Sequence, residues 1–346
     1  MKQTHDLIPL FKKFINDTES GKRLKPNGEK VAKTTITFYY SVLKNLIQFD
    51  TQIKYDLRVC SILKLNQREL TSEKNYWKKL YKDFTDSMYK RGCFDNYVGT
   101  NIKVLKAFFK YVKNDKDIFI GDYYKLFYVR KEEKEVLVLS PEQLKFLIHD
   151  KEFEKKLVST QLKLKDIFVF GCTTGLRFSD IFLLTNKNFE ITNNEWYLKL
   201  RSQKTKTFTL LKLPQYAVDI VLKYQAKNSK TTLFGEKWLS NFNRSLQTIG
   251  EKAGFTNEVH IYREKLGVAK NVPSKKNKTR FCDNMSSHMM RRTAITTHLI
   301  LGMPEHLVKK ISGHSGNSAS FARYINHSQI YINNEAEKIH DKLSSY

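Results

Sequence analysis

Residues 171–184 read GCTTGLRFSDIFLL, and residues 286–299 read SSHMMRRTAITTHL. Both stretches place an arginine, Arg177 or Arg291, among apolar residues that favour a helix. Arginine is scarce in this chain, with 13 residues against 48 lysines, and a guanidinium group can bind phosphate through two parallel hydrogen bonds. Both arginines are therefore candidate phosphate ligands. For Arg177 the alternative is an ion pair with Asp180 on one helix.

The composition indicates a folded protein with a polyanionic partner. A chain of 346 residues is long enough for two domains that each bury a core, and 40% apolar residues with only 14 Gly and 6 Pro favour a helix-rich globular protein. Lys and Arg number 61 against 35 Asp and Glu, which leaves a formal net charge of +26. Such a charge is unusual for an enzyme of small neutral metabolites and favours nucleic acid over a membrane surface.

The cysteines and the N-terminus predict a cytoplasmic protein without a metal site. The four cysteines are scattered and form no CxxC or Cys/His cluster of the kind that binds structural zinc, so reduced thiols are expected. The N-terminal stretch MKQTHDLIPLFKKFI is a short amphipathic pattern with charges inside it, so it lacks the continuous apolar core of a signal peptide. No apolar run approaches the roughly 18 residues of a membrane span.

The first part of the chain predicts a helical nucleic-acid-binding domain over residues 1–128. Apolar residues recur there at helical spacing, and two predicted helices open with KTTIT and GTNIK. Lysine and hydroxyl side chains near these helix starts and along one face are candidate phosphate contacts: Lys33, Thr35, Lys44, Thr100 and Lys103. The alternatives are plain helix caps for the threonines and a solvated face for the lysines.

Residues 129–139 predict a charged, extended linker, because Ser140 and the proline after it begin the next helix. The second predicted domain, 140–346, is α-rich. Alternating apolar residues over 196–213 predict a β-hairpin within it that turns near QKT. The basic stretch 260–280 predicts a loop or short strands.

The end of the chain contains further candidate groups. In SSHMMRR, His288 and Arg291 are three residues apart and share one helix face. A predicted helix ends at Gly313 and presents His314, and a further short helix carries Tyr324. No GxxxxGK[ST] loop and no compact set of Asp and Glu for two metal ions is present. The remaining route to phosphate-ester chemistry is a covalent nucleophile with a cationic clamp.

In combination, TTGLRFSDI, QKT, HMMRR, GHS and ARYI, in this order, closely resemble the tyrosine recombinase (phage integrase) family, most strongly the integrases of Bacteroidetes-type mobile elements. The resemblance covers nearly the whole chain. It implies a mainly α fold with a small antiparallel β-sheet, arranged as a two-domain C-shaped clamp. Residues 1–128 would be the SAM-like core-binding domain, and 140–346 the catalytic domain with a C-terminal helical tail.

The resemblance also implies a set of catalytic residues: Arg177, Lys204, His288, Arg291, His314 and Tyr324. The two arginines would neutralise charge on the non-bridging phosphate oxygens, and Tyr324 would attack phosphorus to give a 3′-phosphotyrosyl link and a free 5′-hydroxyl. Lys204 would protonate the leaving oxygen, with Lys206, otherwise a DNA contact, as the competing register. His288 would transfer a proton, and His314 would hydrogen-bond or buttress the scissile phosphate. Because the link conserves the phosphodiester energy, no cofactor, ATP or metal would be needed.

Two features depart from the family pattern. Asp180 stands where many relatives have Glu, and Tyr324 follows His314 by ten positions, one more than the usual spacing. Tyr331 is the one close rival as nucleophile. The sequence leaves open whether the tail after Tyr324 docks on its own core or on a neighbouring subunit.

The implied partners are double-stranded DNA attachment sites and a synaptic homotetramer formed from monomers, with room for an accessory DNA-bending or directionality protein, in a nucleoid-associated bacterial setting. Two alternatives remain at this point. One is a type IB topoisomerase-like nicking and resealing enzyme. The other is a non-catalytic helix-turn-helix DNA binder, which would leave Arg177, Lys204, His288 and Tyr324 unexplained.

Overall fold

The computed structural model describes residues 3–132, 136–202, 207–225, 231–235, 239–271, 279–314 and 319–326, with short pieces at 332–333, 336–337, 340–341 and 344. The elements before the linker are, in chain order, β1 (Thr4–Asp6), α1 (Leu7–Glu19), α2 (Lys33–Ile53), β2 (Arg58–Cys60), α3 (Gln67–Lys90) and α4 (Asp95–Asp115). Those after it are α5 (Pro141–His149), α6 (Lys151–Lys155), α7 (Ser159–Thr174), α8 (Phe178–Ile181), β3 (Phe189–Thr192), β4 (Glu195–Arg201), β5 (Phe208–Lys212), α9 (Gln215–Tyr224), α10 (Leu239–Lys252), β6 (Tyr262–Lys265), β7 (Val268–Asn271), α11 (Ser287–Ile300), α12 (Glu305–Ser312) and α13 (Ala319–Asn326).

Helices dominate this fold, and the strands pair only in small antiparallel sheets. β1 pairs with β2, β3–β4–β5 form a three-stranded sheet, and β6 pairs with β7. The prediction of a mainly α protein with a small antiparallel β-sheet is confirmed. None of the helices in the described residues is long and apolar enough to cross a membrane.

The chain folds into two compact units. The first comprises Met1–Lys134 together with Tyr262–Val272, and the second comprises Glu135–Ile261 and Pro273–Tyr346. The basic stretch that predicted a loop or short strands does form strands, β6 and β7. Their inclusion in the first unit had no signal in the sequence. The assignment of residues 1–128 as the DNA-binding domain stays a prediction.

Two buried carboxylates hold the β6–β7 hairpin on the first unit. Asp95 accepts hydrogen bonds from the backbone N–H groups of Leu266 (2.9 Å) and Gly267 (2.7 Å), the two turn residues. Both turn residues have positive φ, as two-residue hairpin turns prefer. Glu132 accepts from Arg263 Nε at 2.8 Å and also pairs with its Nη2. Burial of these charges is therefore compensated by donors from the hairpin itself.

The core of the first unit is aromatic and contains a paired charge. Trp77 is fully buried, with its ring centroid 4.6 Å from that of Phe109. Its indole N–H donates to Glu73 Oε1 at 3.0 Å, and the buried Glu73 carboxylate also pairs with Arg58 at 2.8 Å. The buried carboxylate is therefore paired and hydrogen-bonded, as its burial requires.

The start of α4 differs from the prediction. The helix begins at Asp95 and not at GTNIK, so Thr100 is not a cap, and its hydroxyl donates to Asn96 O within the helix. Gly99 lies inside the helix. The position requires a glycine because a Cβ there would lie 2.0 Å from Arg130 O. The start of α2 matches KTTIT, but its N-cap is Ala32 and no side chain caps it. The capping alternative for Thr35 and Thr100 is therefore wrong.

The second unit begins as the sequence predicts. Ser140 caps α5 by accepting a hydrogen bond from Gln143 N at 3.2 Å, with a proline in the first turn. The predicted hairpin forms between β4 and β5, with Arg201 opposite Phe208. Its turn, residues 203–206, lies outside the described residues.

Candidate active site

Close packing of α7 against α11 places the two arginines of the candidate site. A Cβ on Gly171 would lie 2.4 Å from Met290 Sδ, so glycine is what permits this approach. Gly175 then ends α7 in the left-handed conformation, with φ 65°. Arg177 follows at the N-cap of α8, and Arg291 lies on α11.

Arg291 is a largely buried cation that makes its hydrogen bonds to uncharged groups. Its Nη1 donates to Gly175 O at 2.9 Å, and its Nη2 donates to Ser312 O and lies 3.3 Å from His314 Nδ1. Burial, followed by the nearby charge of Arg177, lowers the pKa of Arg291 to about 10. The guanidinium stays protonated at neutral pH. Two cations held close together in a partly dehydrated site favour a bound anion.

Arg177 connects to Asp180 through a serine. Arg177 Nη1 donates to Ser202 Oγ at 2.9 Å, and Ser202 Oγ donates to Asp180 Oδ2 at 2.9 Å. Asp180 is 2% exposed and Ser202 6%. The alternative interpretation of Arg177 was an ion pair with Asp180 along one helix; in the structure, Ser202 bridges the two side chains.

His314 follows the left-handed Gly313 at the end of α12, where its backbone N–H donates to Lys309 O at 2.9 Å. Burial, followed by the charges of Arg291 and Arg177, lowers the pKa of His314 to about 4. The ring is therefore neutral at pH 7. Ser312 Oγ donates its one hydrogen to Val308 O, so we assign the 2.8 Å contact between His314 Nδ1 and Ser312 Oγ as donation from the ring. This tautomer leaves Nε2 as an acceptor facing Arg291 Nη2, at 3.4 Å.

Tyr324 lies on α13, half-buried beside the histidine. The ring centroids of Tyr324 and His314 are 6.0 Å apart, and both rings pack edge-on against the fully buried Phe321. Phe321 belongs to a small apolar cluster with Ile295 and other residues of α11 and α12. The same cluster thus anchors the tyrosine helix next to Arg291.

The structure brings together four of the six predicted catalytic residues: Arg177, Arg291, His314 and Tyr324. His288 lies on the first turn of α11 with an exposed side chain, three positions before Arg291. Lys204, Lys206 and the rival nucleophile Tyr331 lie outside the described residues.

Sequence reasoning missed Ser202 and Ser312. Ser202 stands directly before the QKT motif, and that adjacency was the one signal available. In the described part of the chain, no three His, Cys, Asp or Glu side chains come close enough together to hold a metal ion.

The predicted nucleic-acid contacts lie in the first unit. Thr35, Thr100 and Lys103 line a single open pocket between α2 and α4. Lys33 and Lys44 are exposed on α2. A contact between any of these five side chains and nucleic acid stays a prediction.

Comparison with known proteins agrees with this geometry. Residues 138–330 match the model of the phage integrase family. The structure is similar over 98% of the chain to XerH site-specific recombinase in a post-cleavage complex with a palindromic difH substrate (TM-score 0.61, 15% identity, 95% of that chain). It is also similar to the Tn1549 transposon integrase bound to transposon right end DNA (TM-score 0.58, 16% identity, 97% of this chain and 100% of that one). A lambda integrase dimer bound to a COC′ core site gives a TM-score of 0.61 at 10% identity, over 94% of this chain and 79% of that one.

No protein with a curated description matches the sequence. The fold, the site and the family match together define a tyrosine recombinase. The chain belongs to the phage integrase family, whose model covers more than half of its length. The finer prediction of a Bacteroidetes-type element stays a prediction.

Proposed function

We propose that this chain is a site-specific DNA recombinase that integrates or excises a mobile element through a 3′-phosphotyrosyl intermediate on Tyr324. The observation that carries this proposal is the convergence of Arg177, Arg291, His314 and Tyr324 from four separate parts of the second unit. Two cations whose charges act on each other, beside a phenol, suit attack on a phosphodiester. A non-catalytic helix-turn-helix binder would need no such arrangement.

The chemistry follows from the charges. Arg177 and Arg291 bind the non-bridging oxygens and offset the charge that builds on them as Tyr324 Oη bonds to phosphorus. The bond from phosphorus to the 5′ oxygen then breaks. The phenol loses its proton to His288, and the 5′ oxygen receives one from Lys204, with Lys206 as the competing residue. Rejoining is the reverse sequence, with the 5′-hydroxyl of another strand as nucleophile, so neither ATP nor a metal is required.

The charge state of His314 suits a supporting role. A ring that is neutral at pH 7 adds no third cation beside the arginines. Because its Nε2 accepts from Arg291, the ring buttresses the arginine that binds phosphate. The family resemblance implied that His314 hydrogen-bonds or buttresses the scissile phosphate, and we propose that it does so indirectly, through Arg291.

The proposed partner is double-stranded DNA at the attachment sites, bound by monomers that assemble into a synaptic homotetramer. The net charge of +26 and the pocket lined by Thr35, Thr100 and Lys103 support DNA binding by the first unit, with Lys33 and Lys44 beside it. We expect the protein to act in the bacterial cytoplasm on the nucleoid. An accessory DNA-bending or directionality protein and docking of the C-terminal tail in cis or in trans are further parts of this proposal.

The test is a denaturing gel of the protein after incubation with nicked duplexes that span the ends of its element. Wild type and Tyr331→Phe should form an SDS-resistant protein–DNA adduct in EDTA, whereas Tyr324→Phe should form none and still bind the DNA. An adduct with Tyr324→Phe would overturn the assignment of the nucleophile. Adduct formation with relaxation of supercoils but no strand exchange would instead identify a type IB topoisomerase-like enzyme.

A further inference from the structure

We propose that Ser202 is a positioning residue that orients Arg177. This inference rests on the proposed function and adds a residue to it. Ser202 lies one position beyond β4, outside the motifs that the family resemblance uses.

The hydrogen bonds around Ser202 run in one direction. A serine hydroxyl has one hydrogen, and here it goes to Asp180 Oδ2, so the oxygen faces Arg177 Nη1 as an acceptor. The carboxylate of Asp180 polarises the hydroxyl and strengthens the bond that the arginine makes. With Ser202 and Asp180 both buried, little water competes for these contacts. A fixed serine therefore orients the Nη1 group of Arg177.

The backbone of Ser202 connects the same point to the hairpin turn. Ser202 N donates to Thr207 O at 2.9 Å, which closes the loop whose sequence, residues 203–206, contains the predicted lysine acid Lys204. One residue thus contacts Arg177 with its side chain and pairs with Thr207 through its main chain, next to the ends of β4 and β5.

The alternative is that Ser202 only stabilises the fold. If the hydroxyl acts through Arg177, the loss of rate on its removal should depend on the charge of the scissile phosphate. If the hydroxyl only stabilises the fold, the loss should be the same for both substrates. A methylphosphonate at the scissile position removes one negative charge, so less cationic stabilisation is needed there.

The experiment measures the single-turnover rate of adduct formation on nicked duplexes that carry either a phosphodiester or a methylphosphonate at the scissile position. We expect Ser202→Ala to slow adduct formation about tenfold on the phosphodiester with unchanged DNA affinity. The loss should be clearly smaller on the methylphosphonate, in the same direction as for Arg177→Ala. Ser87→Ala is the matched control, because Ser87 is 7% exposed and its hydroxyl bonds only within its own helix, to Phe84 O.

A second pair guards against misfolding of the alanine variant. Ser202→Thr keeps the hydroxyl and Ser202→Val replaces it with a methyl group of similar size, so only the valine variant should lose rate. A wild-type rate for Ser202→Ala, or equal losses on both substrates, would overturn the positioning role while leaving the recombinase assignment intact. If wild type itself forms no adduct, the proposed function fails and this inference fails with it.

Discussion

The β6–β7 anchor in the first unit and the arginine cluster in the second both bury charge, but they compensate it differently. In the anchor, the carboxylates of Asp95 and Glu132 receive backbone N–H groups and an arginine from the hairpin. In the cluster, Arg291 contacts two carbonyl oxygens and a neutral histidine. Groups of the protein itself therefore compensate the two carboxylates. The positive charge of Arg291, in contrast, is available to bind an anion from outside the protein.

The difference distinguishes buried charges that stabilise the fold from buried charges that lower its stability and serve to bind a ligand. A buried charge that is paired and hydrogen-bonded favours a single folded arrangement, because all of its partners lie within the protein. Burial, followed by the nearby charge of Arg177, lowers the pKa of Arg291, so the charged guanidinium is disfavoured when no anion is bound. The predictions below test this contrast, from the largest expected effect to the smallest.

Removal of one anchor carboxylate should cost the most. Glu132→Ala leaves Arg263 and the Glu264 N–H without their buried acceptor, and we expect a loss of about 3–5 kcal/mol in the free energy of unfolding. Urea unfolding followed by circular dichroism measures it. The control is Glu152→Ala, which removes an exposed ion pair and should change the free energy of unfolding by no more than about 0.5 kcal/mol. Equal losses for the two variants would contradict the anchor.

The arginine in the cluster should show the opposite pattern. Arg291→Ala removes a phosphate ligand, and we expect adduct formation to fall by about 10²–10³-fold, with the melting temperature unchanged or raised because a repulsive buried charge is gone. Single-turnover cleavage and thermal melts are the two measurements. Arg280→Ala removes an exposed arginine paired with Glu251 and should leave cleavage unchanged. A large fall in melting temperature for Arg291→Ala would show that this cation stabilises the fold.

The smallest effect concerns pH. Since the pKa of His314 is lowered from 6.5 to about 4, the unfolded chain takes up a proton between these values that the folded site refuses. The contribution of this group to stability is therefore fully present above pH 6.5 and falls as the pH drops towards 4. His314→Gln should flatten the fall in unfolding free energy between pH 7 and pH 5, measured by urea titrations. An unchanged slope in the variant would contradict the lowered pKa.

Much of the candidate site could be predicted from local sequence. Gly175 before Arg177 and Gly313 before His314 mark helix ends, and the structure has both glycines in the left-handed conformation. Apolar periodicity likewise predicted the helix that carries Arg291. The sequence did not identify Ser202 as a site residue, because a serine next to a motif has no distinguishing pattern and its partner Asp180 lies on another element.

The sequence did not predict the β6–β7 anchor, for a related reason. Asp95 and Leu266 are 171 residues apart, and nothing in either local sequence indicates the other. The start of α4 was misplaced at GTNIK, whose first residue is Gly99. In the structure it is a helical residue that makes room for the Arg130 carbonyl oxygen.

The sequence by itself determined the helical class, the basic character and the set of reactive side chains, because hydrophobic period, charge and residue type are local properties of the chain. Tertiary structure alone decided that His314 is neutral, that Ser202 bridges Arg177 and Asp180, and that the β6–β7 hairpin completes the first unit. Each of these depends on burial and on hydrogen bonds between residues that only packing brings together.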